Sequence, residues 1–392
     1  MPNELTPEEH LCLLLARGDF TDNVSKRAAE QIGAGLRWDR LVERAAAHGL
    51  IPLVYHRLRA LDYVGVPPPV HRQLKDIVGI NAIRNELFAQ ELVRVLTRLG
   101  EAGVAAIPLK GIFLAESLYG DATLRTCADL DILIQPQDLP EGLRLLRSLG
   151  YSDRLGGGTF VRLLSRYGKD CALMREEGRS VYPLQVHCGL IWGGPAEERV
   201  LGEIWSTAVA KPFHAALTFG MSPEWEFLYL AVHAARHRLY PFKWLVDLDW
   251  LSVRGAVDWK EVHAKAQRLG WDWVVLSCLA ACAELLGTPI PGPFAEVHAP
   301  TRGKARFSAP GHLAIPRETL FAARLIPSPP QRLQFLAVRV FVPTPADGEL
   351  LRLPSPLFFL YYFLRPVRLS FTVAGWLIRA GWAKLRRLLG AR

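Results

Sequence analysis

Asp129-Leu130-Asp131-Ile132-Leu133-Ile134, with Pro108-Leu109-Lys110-Gly111 upstream of it, is the stretch whose reading decides the fold. Acid and aliphatic residues alternate and the run then stays apolar, which predicts a half-buried strand from Asp129 to Ile134. Successive strand side chains point to opposite faces, so Asp129 and Asp131 share one face, about 7 Å apart. Two carboxylates at that spacing can hold one or two hard divalent cations through oxygen. Facing a core without a cation, they would be two like charges partly stripped of water, which is costly.

The surrounding pattern is a complete supersecondary unit. Val104 to Leu109 reads as a short apolar strand, punctuated by Lys110-Gly111. Ile112, Leu114, Ala115 and Leu118 follow at helical spacing, and Tyr119-Gly120-Asp121 ends that helix, glycine supplying the terminating conformation. After the aspartate strand, Asp138 opens a helix closed by Gly150, and Val181 to Ile191 reads as a further strand with Gln185 and His187 on one face. Residues 160–175 are ambiguous between strand and helix. Gly156-Gly157-Gly158 reads as a loop.

Strand, glycine turn, helix, then a strand with paired aspartates is similar to the catalytic core of nucleotidyltransferases. The sequence resembles the uncharacterised bacterial nucleotidyltransferases of the polymerase-beta-like superfamily. The matching residues are Leu109-Lys110-Gly111, Leu118-Tyr119-Gly120-Asp121, Leu124-Arg125, Asp129-Leu130-Asp131-Ile132-Leu133, Asp138 and Gly150-Tyr151. Val186-His187 and His233, His237 and Lys243-Trp244-Leu245-Val246-Asp247 match more loosely, so that the likeness runs roughly over residues 5–265.

The resemblance implies an α/β (α+β) fold, a small mixed sheet flanked by N-terminal and C-terminal helical regions. It also implies a metal-dependent transfer of NMP from an NTP to a hydroxyl acceptor. Asp129 and Asp131 would be the catalytic, Mg²⁺- or Mn²⁺-binding pair. Lys110, Gly111, Arg125 and His187 would bind nucleotide, and Gln185, His233, His237 and Asp247 would line the pocket. Arg125 is placed to reach a phosphate, or else to pair with Asp121 or Asp129. His233 and His237 lie four residues apart on one helical face, either toward the nucleotide or as helix–helix contacts; the HExxH glutamate of a zinc site is missing. The family's third carboxylate sits two residues before the histidine, where this chain has the neutral Gln185, which cannot act as a base. Asp170 or Glu176 is then the substitute, or one metal binds, or the fold serves as a catalytically impaired nucleotide-binding or interaction protein.

Composition narrows the class. Half of the 392 residues are hydrophobic and 22% are charged, which excludes a disordered chain. Of the net charge of +9, residues 350–392 carry +8, with eight Arg or Lys and no acid, leaving +1 for everything before them. The catalytic region is therefore no cationic cradle for nucleic acid. Six cysteines without a CxxC pair read as reduced, buried thiols of a cytoplasmic protein. Met1-Pro2-Asn3-Glu4-Leu5 opens no basic-then-apolar leader.

Five regions follow: N-terminal helices over 1–100, a catalytic core over 101–215, a helical domain over 216–287, a linker over 288–349 and a tail over 350–392. Thr6 is the expected cap of the first helix and Ser222 that of a later one. A long helix from about Val70 to Leu99 carries Asn81, Asn85 and Glu86, read as an exposed polar face. Residues 287–366 hold fourteen of the 28 prolines, a linker signature with short helices at 317–326 and 330–341. In the tail no run of 18 uncharged apolar residues occurs, which disfavours a spanning helix. Its Phe-, Trp- and Arg-bearing sequence suits a membrane-surface anchor, or a helical pair docked on the core with arginines outward. The anchor reading extends to a membrane-peripheral accessory of envelope polysaccharide or peptide biosynthesis.

Overall fold

Thr6 caps the first helix, Pro7–Ala16, in a reciprocal box with Glu9, as Thr-Pro-Glu-Glu predicts. The computed structural model describes residues 5–153, 158–254, 256–295 and 314–388; Gly156 and Gly157 of the glycine run lie outside them. Helices Asp22–Gly33, Trp38–Ala47 and Ile51–Ala60 follow, then a helix of 34 residues, Pro68–Glu101. Its leucines, valines and Phe88 pack on one side of the sheet.

The polar notches of this long helix correct the sequence reading. Glu86 is exposed, but Asn81 and Asn85 are buried. Asn85 Nδ2 donates to the carbonyl of Arg125 at 2.8 Å, and Asn81 Nδ2 to that of Thr123 at 3.1 Å. Arg84 adds a bond to the carbonyl of Cys127 at 3.2 Å. An irregular segment has no ladder to satisfy its carbonyls, so side chains must. The long helix thereby fixes the approach to the aspartate strand.

Five strands form a mixed sheet: β1 (Ala106–Pro108), β2 (Leu130–Ile134), β3 (Ser152–Asp153), β4 (Asp170–Glu177) and β5 (Ser180–His187), in the order β1-β2-β5-β4-β3. Only β2 and β5 are parallel, with Asp131 opposite Gln185 and Leu133 opposite His187. The ambiguous stretch resolves into a helix, Gly158–Tyr167, followed directly by β4. β2 is buried along its whole length, not half-buried. Leu130, Ile132 and Ile134 face the long helix and the helix Leu139–Ser148, while Leu133 joins the helical core on the other side. Asp131 shares the face of Leu133 by period two. It therefore points toward the helical half of the molecule.

A hairpin not anticipated from the sequence, β6 (Val209–Phe213) with β7 (Ala216–Gly220), spans the 215/216 boundary between core and helical domain. Thr218 Oγ1 of β7 donates to the carbonyl of Ala106 in β1 at 2.8 Å. Helices Pro223–Arg236, Lys243–Val253, Trp259–Leu269 and Asp272–Leu286 then build the second half. Ser222 caps the first of them through Trp225 N. All six cysteines are free and buried; Cys278 and Cys282 contact the carbonyls of Ala231 and Leu245. Beyond residue 313 come helices Ala314–Leu325, Pro329–Phe341, Pro345–Leu350 and Tyr361–Leu388.

Candidate active site

β1 delivers Lys110 and Gly111 to the start of the helix Gly111–Tyr119. Gly111 has φ of 64°, and a Cβ there would stand 3.1 Å from the carbonyl oxygen of Asp129. Only glycine allows both that conformation and that approach. The helix N-terminus, with unpaired amides and the positive end of its dipole, thus opens beside the aspartates. Both flank a cavity of about 340 Å³, within the range of small-molecule sites.

Asp131 is the buried centre of this cavity. Its Oδ1 lies 3.0 Å from His187 Nε2 and its Oδ2 2.9 Å from Lys110 Nζ. Burial pushes the carboxyl up, but the hydrogen bond from His187 and the charge of Lys110 outweigh it and hold the pKa at about 2. Asp129, one residue before β2, lines the same cavity and is more open to solvent. β5 places Gln185 beside Asp131, and antiparallel pairing places Asp170 of β4 opposite His187. Asp170 Oδ2 is 3.7 Å from His187 Nδ1 and 2.7 Å from Lys169 Nζ. Burial raises its carboxyl, and Lys169 and His187 lower it to a net depression. Of the two acids the sequence offered in place of a third carboxylate, Asp170 reaches the cavity. Glu176 pairs with Val181 at the far end of the hairpin.

The facing wall comes from the helical half. Tyr229, His233, Arg236 and His237 project from the end of one helix, and Lys243 and Trp244 from the start of the next. His233 and His237 stand ring to ring at 4.8 Å, with Trp244 packed on both at 4.8 and 4.6 Å. Burial and neighbouring cations keep both imidazoles neutral, His237 titrating near 4 and His233 well below its ordinary value. Lys243 stands in a motif of the resemblance with no role assigned to it, and Lys169 and Arg236 are cavity cations that sequence pattern alone did not single out. Their one local signal is position, Lys169 just before a strand and Arg236 between two histidines.

Lys243 gives the first expected result. Burial, then the charge of Arg125, lowers its pKa to about 8. The ammonium is therefore charged below that pH and loses its proton above it. Affinity for a polyanion is expected to fall several-fold between pH 7 and 9, and Lys243→Arg, charged throughout, is expected to flatten the profile. Calorimetric titration with a non-hydrolysable NTP across that range checks both.

Arg125 reaches the cavity as the sequence suggested, whereas Asp247, expected in the pocket, lies behind it. Arg125 touches the cavity, but its guanidinium is engaged by Asp247, with Nε–Oδ1 and Nη2–Oδ2 both at 2.9 Å. Neither Asp121 nor Asp129 is its partner. Asp247 is fully buried, is not part of the cavity wall, and also accepts from Tyr119 Oη at 2.6 Å. This pair clamps the helical half onto the segment before β2. Another buried carboxylate, Glu197, escaped the sequence reading. It accepts the backbone amides of Leu190, Ile191, Trp192 and Gly193, and so folds the turn after β5 that ends in the cavity wall at Leu190.

A family model described as uncharacterised nucleotidyltransferase matches residues 34–287. The chain belongs to this family. Its match takes in the cavity and both walls and stops short of the last helices. Among solved structures, the chain is similar to an antigenic nucleotidyltransferase-like protein from Paracoccidioides brasiliensis. Identity is 14% and the TM-score 0.33, over 52% of this chain and 94% of that one, too slight a likeness to carry an argument. No curated protein matches the sequence.

Nucleotidyltransferase chemistry raises the question of a divalent cation. Among the described residues no three His, Cys, Asp or Glu side chains are grouped to cage one. Mg²⁺ seldom needs such a cage: one or two carboxylates suffice when phosphates and water complete the shell. Asp131 Oδ2 is buried and accepts no aligned hydrogen bond, although Lys110 neutralises it. An ionised, hydrogen-bond-poor oxygen beside a second carboxylate suits a hard cation that arrives with a triphosphate.

Proposed function

We propose that the chain transfers NMP from an NTP to a hydroxyl acceptor, with Mg²⁺ or Mn²⁺ held by Asp129 and Asp131. The observation that carries this reading is the convergence of those two acids, the Gly111 helix N-terminus and the cations Lys110, Lys169, Arg236 and Lys243 on one cavity. Such a charge pattern fits a polyphosphate chain, which needs cations along its length and acids only where a metal bridges.

The residues then divide the work. Lys110 and the Gly111 amide hold phosphate oxygens, with Lys110 moving from Asp131 to the nucleotide. Arg236, Lys169 and Lys243 neutralise the remaining phosphate charge and orient the chain for in-line attack. Trp244 and the neutral His237 offer flat faces to a base. When bound, the divalent cation offsets the negative charge that builds on the α-phosphoryl group and the departing pyrophosphate. The acceptor oxygen bonds to the α-phosphorus, the bond to the bridging oxygen of pyrophosphate breaks, and the acceptor's proton passes to Asp170. His187 holds Asp131 in register and faces Asp170 with its other nitrogen.

Asp170→Asn is accordingly expected to lower transfer by roughly a hundredfold while leaving nucleotide affinity close to that of the wild type; single-turnover kinetics beside a binding titration reads both. The reaction itself is tested by incubating the protein with each NTP labelled at the α-phosphate, with Mg²⁺ or Mn²⁺ and acceptor fractions from a cell extract. Label on an acceptor, absent with Asp131→Asn, supports transfer. Nucleotide binding without transfer in any combination favours the other reading, a nucleotide-binding protein without turnover, for which Gln185 opposite Asp131 is the specific motive.

A further inference from the structure

Among the described side chains of the helix Tyr361–Leu388, Arg365 and Arg368 turn inward and a row of large apolar side chains turns outward. Arg365, only 7% exposed, pairs with Asp347 at 2.9 Å and donates to the carbonyl of Arg339. Arg368 Nε reaches the other oxygen of Asp347 at 2.6 Å. Tyr361 is buried against Phe160, 5.7 Å between ring centres, and its hydroxyl accepts from Leu353 N at 3.0 Å. The first turns are therefore docked through polar anchors. Phe363, Val367, Phe371, Ile378 and Trp382 point away, with Phe363 70% and Phe371 75% exposed. At about 100° per residue these five fall within an arc of about 100°, a stripe about 29 Å long.

A soluble surface seldom leaves so long a stripe bare, and charge indicates what covers it. Residues 350–392 carry eight Arg or Lys and no acid, which complements anionic lipid headgroups and opposes docking of a second, equally basic copy. Ser355–Gly375 is long and apolar enough to cross a bilayer by length and composition, with mean hydropathy 1.2 and 11% of it buried. Yet Arg365 and Arg368 lie inside that window, bound to Asp347 of the folded body. Threading the segment through lipid would break those buried pairs and carry both charges into hydrocarbon.

We propose that this helix lies in the plane of an anionic bilayer surface, its Phe363–Trp382 stripe sunk among the acyl chains and its arginines at headgroup level. The inference stands apart from the proposed transfer activity, since none of its residues lines the cavity. Flotation of the full chain with phosphatidylcholine vesicles, with and without phosphatidylserine, tests it against the triple variant F363S/F371S/W382S, whose fold is checked by circular dichroism. The wild type is expected to float with the anionic vesicles at least tenfold more than the variant, and less with neutral vesicles or in high salt. Quenching of tryptophan emission by bromolipids, reduced in W382F, is a second readout that does not depend on the triple variant. Equal flotation of the two proteins, no flotation of the wild type, resistance of the bound protein to alkaline carbonate, or a lipid-free dimer that the triple variant dissociates would each overturn the proposal.

Discussion

Asp131→Asn is expected to lower nucleotidyl transfer by on the order of a thousandfold or more without unfolding the protein. Asparagine keeps the shape and the contact with His187 but removes the charge that holds Lys110 and that, in the proposed reaction, would hold a divalent cation. Lys110 sits at the cavity wall and can turn to solvent or phosphate, so the loss falls on chemistry more than on folding. Binding of NTP without metal is expected to survive or tighten slightly, because Lys110 is released from its partner; loss of metal-free binding as well would mean that Asp131 only props the pocket open. The same substitution has a pH signature. The folded carboxyl titrates at about 2 instead of 3.8, so its ionised form stabilises the native state above pH 3.8, by about 2 kcal/mol. That contribution is lost as pH falls from 3.8 to about 2. Denaturant unfolding at pH 6, 4, 3 and 2 is expected to show a steeper acid loss for the wild type than for Asp131→Asn, and parallel curves would count against the buried ionised state.

Much of this site was legible because its first half is local. Lys110-Gly111, the helix after it and the aspartate strand lie within one short stretch, so periodicity and a single glycine determine their relative placement. Asp170 was visible only as one of two candidates, because residues 160–175 carry a helix and the start of a strand with no break residue except Gly168. Once β4 and β5 pair antiparallel, register alone selects Asp170 over Glu176. Asn81 and Asn85 were misread for a different reason. Their partners are carbonyls of an irregular segment, and a carbonyl in need of a donor leaves no trace in residue type. Glu197 illustrates the same blindness, since all four of its partners are backbone amides. Lys169, Arg236 and Lys243 meet only through the packing of two halves far apart in sequence.

Asp247→Ala is expected to cost roughly 3–5 kcal/mol of stability. The carboxylate is fully buried, takes both arms of Arg125 and accepts the hydroxyl of Tyr119. Its removal leaves a buried guanidinium without a counter-charge and a phenol without an acceptor, and opens a small cavity as well. Arg125 has one nearby alternative: the cavity it already touches. Turned there, it would add a cation among Lys110, Lys243 and Arg236, so the variant should bind triphosphate no more weakly than wild type even as it unfolds earlier in urea. A purely packing role predicts parallel losses of affinity and stability. The double substitution Arg125→Met with Asp247→Leu removes both charges together and is expected to recover most of the stability, because a buried pair costs nearly as much to desolvate as it returns. Urea unfolding of Arg125→Met alone, Asp247→Leu alone and the double decides the matter: a coupling energy near zero would mean that the clamp between the sheet and the helical half is held by its apolar surroundings and not by this ion pair.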